Sequence, residues 1–102
     1  MSSKLDMFRC LIALAHADNK VKEPERQMLE RHISQIPFTQ EEKQTLALDF
    51  ECAQDPLLFF DRLTNEDDKR EVVQIAFALF WSDGEFHEAE QAFFKILRKR
   101  LS

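Results

Sequence analysis

One glycine, Gly84, and no tyrosine occur in the 102 residues, with only two cysteines and three prolines. A lone glycine argues against an all-β fold, whose tight turns need positive φ repeatedly. It also excludes Gly-rich phosphate loops and dinucleotide fingerprints, which need several glycines close together. The absence of tyrosine removes one common general acid. Cys10 and Cys52 are too few for a disulfide scaffold, and their apolar neighbours predict two buried, reduced thiols. Neither Cys-x-x-Cys nor His-x-x-x-His occurs, so zinc has no local signature. The longest apolar run, Ile75 to Trp81, is far short of the ~20 residues of a membrane span. Asp6 and Arg9 interrupt anything like a signal peptide, so the expectation is a cytoplasmic chain without a transmembrane segment.

What remains is acidic and helical. Fourteen basic against nineteen acidic residues give a net charge of −5, a poor balance for a nucleic-acid binder. Apolar residues recur at helical spacing along the whole chain. Leu5, Phe8, Leu11, Ile12 and Ala15 predict a helix over about 4–17, and Met28, Leu29, His32, Ile33 and Ile36 a second, ended by Pro37. Thr39 and Glu42 form a capping box that opens a third, with Leu46, Leu48, Phe50 and Ala53 as its apolar stripe. Asp55-Pro56 reads as an N-cap and first helical residue ahead of Leu57 to Leu63. Asn65 caps a fifth helix, whose stretch from Val72 to Trp81 is apolar on nearly every side and predicts the most buried helix. A sixth, from about Glu88, carries Ala92, Phe93, Ile96, Leu97 and Leu101 and a basic end that complements the helix dipole. Phe77, Phe80, Trp81, Phe93 and Phe94 are expected in the core, and Phe59-Phe60, if partly exposed, would mark a partner groove.

An internal repeat carries the most information. Ile12 to Glu25 aligns with Phe77 to Glu90 at a constant offset of 65 residues. Asp18 falls on Asp83, Asn19 on Gly84, Val21 on Phe86, Glu23 on Glu88 and Glu25 on Glu90. The pattern predicts one helix-loop-helix unit used twice, over about 5–36 and 70–101, with a helical connector over about 38–64. Asn19 and Gly84 are the residues best able to turn left-handed where a helix stops. Glu25 and Glu90 stand three residues after Lys22 and His87, both poor N-caps, where a glutamate can reach back to open backbone amides.

The recurring acids support two readings that stay open. Asp18, Glu25, Asp83 and Glu90, with Glu23, Glu85 and Glu88, supply enough hard oxygen ligands for Ca²⁺ or Mg²⁺, in preference to Zn²⁺, if both units pool their carboxylates. Neither unit is an EF-hand, because Leu14 and His16, and Leu79 and Trp81, stand where its first ligands belong. Alternatively the acids only cap helices and solvate turns.

Paired segments of the form A-[DH]-A-D-[GN]-x-[VIF]-x-x-x-E around a helical middle resemble the TerB family of tellurite-resistance proteins. The central domain of membrane-anchored DnaJ-like co-chaperones is similar. The resemblance covers about Leu5 to Leu101 and implies an all-α single domain of about six helices, with two helical hairpins facing each other. It also implies an acidic surface binding divalent metal, here through Asp18, Glu25, Asp83 and Glu90. Asn19 replaces the first glycine, Lys22 and His87 replace the usual Ser/Thr cap, and Lys20 places a positive charge in the first loop. No His-Pro-Asp signature of a J domain is present.

Catalytic chemistry has little to stand on. His16 and His32 fall on or beside apolar faces and read as satisfied boundary residues, and His87 has no nucleophile to serve. The expectation is a non-enzymatic module of stress response or signalling that meets divalent metal or protein partners through its acidic loops. The alternative is a structural, self-associating interaction domain, and a third reading, a metal-dependent hydrolase, needs a substrate pocket and an open coordination position.

Overall fold

The computed structural model describes the backbone of residues 3–16, 23–80 and 88–101, and the side chains of 4–16, 23–79, 91, 92 and 95–100. Its helices are α1 (Ser3–Ala15), α2 (Glu23–Ser34), α3 (Gln40–Glu51), α4 (Pro56–Phe60), α5 (Glu66–Phe80) and α6 (Glu88–Leu101). No strand occurs among the described residues.

Helix starts follow local chemistry. Thr39 Oγ1 accepts from the Glu42 N–H at 3.1 Å, and Glu42 Oε1 accepts from the Thr39 N–H at 2.9 Å, the reciprocal pair of a capping box. Asp55 Oδ1 accepts from the Leu57 N–H at 3.0 Å ahead of Pro56, whose missing N–H costs nothing in a first turn. Asn65 Oδ1 accepts from the Asp67 N–H at 2.8 Å, and Glu66, Asp67 and Asp68 place negative charge at the positive end of α5.

The centre of the fold is α1, which packs against α2, α3, α4 and α5. Leu5, Met7, Phe8 and every residue from Cys10 to Ala15 are buried. This corrects the expectation that α5 is the most buried helix. Val72, Ala76 and Leu79 are buried there, but Phe77 is 46% exposed. An apolar helix is buried only where other elements surround it, and α3 and α4 are laid against α1.

Several expected core positions turn outward. On α3 the buried residues are Leu46, Asp49 and Phe50, spaced i, i+3, i+4 on one face. Leu48, two residues from Leu46, lies on the opposite side at 66% exposure, and Ala53 is exposed beyond the helix end. On α4 Phe59 and Phe60 are buried in the core and Leu58 faces out, so the pair forms no partner groove. On α6 Leu97 is buried, whereas Ala92 and Ile96 are exposed. Cys10 is buried as expected, but Cys52, at the C-cap of α3, is exposed. Phe80, Trp81, Phe93 and Phe94 lie outside the described side chains.

Candidate functional site

Of the seven acids that the repeat singles out, two have described side chains. Both stand in the first turn of α2, where the helix dipole favours carboxylates. Glu23 is exposed and accepts from Gln27 Nε2 at 3.3 Å. Glu25 is 3% exposed, and no buried side-chain nitrogen or oxygen among the described residues lacks a hydrogen-bond partner. Glu88 and Glu90 begin α6, with their side chains outside the described set. Asp18, Asp83 and Glu85 lie outside the described residues altogether, as do Asn19 and Gly84.

Glu23 and Glu25 alone do not fit a cation. One carboxylate is inside the fold and the other is hydrogen-bonded on its own helix. No group of three or more His, Cys, Asp or Glu that could hold a metal occurs among the described residues. A pooled site therefore depends on Asp18, Asp83, Glu85, Glu88 and Glu90, whose side chains lie outside the described set.

The leading helices of the two repeat units are packed together, α1 on α5. Lys4 Nζ lies 3.5 Å from Glu71 Oε2, joining an early residue of α1 to an early residue of α5. The duplicated units thus share a helix–helix interface that starts near both helix origins.

A charged cluster that the sequence reading missed ties the middle of α1 to α3. Arg9 donates through Nε to Asp49 Oδ2 at 2.9 Å and through Nη2 to Asp49 Oδ1 at 3.3 Å. This forked pair joins α1 to α3, with the Asp49 side chain only 5% exposed. The Arg9 guanidinium also lies 4.5 Å from the Phe59 ring centroid, and Arg62 lies 5.4 Å from that ring. His16 Nε2 donates to the Asp49 carbonyl oxygen at 2.9 Å, so Nε2 carries the hydrogen. His16 is the last described residue before the acidic segment that holds Asp18. Its half-burial with a partner matches the reading of a satisfied boundary histidine, as does His32, whose Nδ1 donates to the Met28 carbonyl at 2.9 Å. The signal for the cluster was an acid at a buried-face spacing on α3 and an arginine between Phe8 and Cys10 on α1.

Between α2 and α3 runs an open groove. Ile33, Leu46, Ala47 and Phe50 line a cavity of about 340 Å³, with Arg26, Glu30 and Lys43 at its rim. A second hollow of about 500 Å³, bounded by Leu48 and Glu51, shares Arg26 and Ala47 with it. Arg26 is fixed at their junction, donating to Glu30 Oε1 at 2.8 Å and stacking 4.8 Å from the Phe50 ring centroid. The hydrogen bond to Glu30, with Glu51 and Glu23 nearby, holds the guanidinium above its ordinary pKa.

Neither cysteine makes a nucleophile with a base. Burial, aided by the charges of Asp61 and Asp55, pushes the Cys10 thiol up to about 12. Cys52 is exposed at the C-cap of α3.

Comparison with known proteins places the chain. The family model described as tellurite resistance protein TerB matches residues 4–101. No curated protein and no solved structure matches the chain. The match spans essentially the whole chain, which therefore belongs to the TerB family, and the all-α fold agrees with that membership.

Proposed function

We propose that this TerB-family chain is a non-enzymatic module of stress response or signalling that works through the acidic turns of its two repeat units. The turns take up a divalent cation of the Ca²⁺ or Mg²⁺ class, and the loaded surface meets a protein partner. The observation that carries this reading is the repeat itself. Asp18 and Asp83, Glu23 and Glu88, and Glu25 and Glu90 recur at one offset, while the residues between them vary. Hard oxygen donors from two turns suit a cation that neither turn could hold alone. Packing of α1 on α5 supports a shared site, because it ties the leading helices of both units into one body.

Titration calorimetry with CaCl₂ and MgCl₂, paired with thermal melts, tests the reading. A cation bound only by the folded chain stabilises it by about 2.7 kcal/mol at one hundred times Kd. Asp83→Ala removes a ligand and should abolish both the heat and the shift in melting temperature. A wild-type chain with neither response at millimolar cation sinks the proposal.

One observation favours a second reading, in which the acids act only as caps. Glu25 is buried in the first turn of α2, where a carboxylate serves open backbone amides. On that reading Glu25→Gln and Glu25→Ala lower stability equally with and without cation.

A further inference from the structure

We propose that α3 is a latched strap, which lifts from α1 as a unit while the rest of the fold stays closed and uncovers an apolar strip of α1. The strap lies in the connector, between two fixed points. Phe38 is buried before it, edge-on to Phe8 with ring centroids 6.1 Å apart, and Pro56 is buried after it. Between them only Leu46, Asp49 and Phe50 are buried, and every residue over 51–55 is exposed. Two buried apolar side chains hold a helix of 12 residues, so little apolar surface opposes its release. Its chief packing among the described residues is on α1. On the α2 side lies the hollow of about 340 Å³, bridged by Arg26 stacked on Phe50.

Asp49 is the latch. Its carboxylate takes the fork of Arg9, and its carbonyl oxygen accepts from His16. That carbonyl stands in the last turn of α3, where no further helical N–H follows to meet it. Arg9, Ile12, Ala13 and His16 are spaced i, i+3, i+4, i+7, so the two residues bonded to Asp49 flank Ile12 and Ala13 on one face of α1. Ile12 and Ala13 are buried, and they form the strip that the strap covers. Release differs from deletion of one partner. Both charges return to water when α3 lifts, and Arg9 keeps its stacking on Phe59 of α4. The latch therefore sets where α3 docks without locking it to the global fold.

Native-state hydrogen exchange of the full chain in low concentrations of guanidinium chloride tests the proposal. A lifted helix of this length is marginal in water, so its amides exchange on opening. The amides of residues 44–50 should exchange at least about a hundredfold faster than the slowest amides of α1 and α5, with a smaller denaturant dependence. Asp49→Asn weakens the latch and should speed exchange in α3 by about tenfold or more. Val72→Ala, in the core on α5, should speed the slowest amides of α1 and α5 and leave exchange in α3 unchanged. Amides of α3 that match the slowest ones in rate and denaturant dependence overturn the proposal. So does a Val72→Ala chain in which α3 gains as much speed as α1, or a folded Asp49→Asn chain whose α3 exchanges as in the wild type. The wild type and Val72→Ala decide the matter if Asp49→Asn does not fold.

Discussion

The two repeat units share a pattern but not a setting. At matched positions, Met7 and Val72, Leu11 and Ala76, and Leu14 and Leu79 are fully buried in both. One residue further along, Ile12 is fully buried whereas Phe77 is 46% exposed. Ala13 is buried and its counterpart Ala78 is exposed. The shared positions are those by which each leading helix joins the core. Among the described residues α3 and α4 pack against α1 and make no comparable contact with α5. The duplication therefore supplies two similar helices, and the connector makes one of them the centre.

The largest predicted effect strikes the cover itself. Asp49→Ala leaves Arg9 without its buried partner and should cost about 3–5 kcal/mol, read from urea unfolding at unchanged m-value. An effect near zero would mean that α3 does not depend on this pair. Ile12→Ala should cost about 2–5 kcal/mol, as for a core deletion, while Phe77→Ala at the matched position should cost well under half as much. Equal costs at the two sites would erase the asymmetry.

Cys10 on α1 gives a pH-dependent probe of the same contrast. Its folded pKa is raised, so the stability that burial of the neutral thiol contributes is complete below the unfolded value. It is lost as pH rises from about 9 toward about 12. In the folded chain at pH 8, a thiol reagent should modify Cys52 rapidly and Cys10 only on unfolding. Equal rates would show that α1 is open to solvent. Smallest of all, Leu48→Gln on the outer face of α3 should change stability by about 0.5 kcal/mol or less.

How much of this the sequence showed depends on range. Helix borders and caps were legible because Thr39 with Glu42, Asp55 with Pro56, and Asn65 act within a few residues of themselves. The ranking of α1 over α5 was not, since both helices are apolar enough to be central and α3 and α4 decide between them. The buried face of α3 was misphased because Asp49 occupies a core position. Its charge is tolerable only through Arg9, forty residues away. Among the acids of the repeat, Glu25 read as a surface ligand or a cap and proved to be buried, a distinction that composition and spacing do not carry.

On the proposed function the acidic segments of both repeat units hold one cation together, the second more strongly because the first carries Lys20. Calorimetric titration of Ca²⁺ into the wild type, Asp18→Ala and Asp83→Ala tests it most directly. The expected result is one cation per chain, weakened by Asp18→Ala and lost in Asp83→Ala. Absence of binding heat in the wild type, or affinity unchanged in both variants, would contradict it.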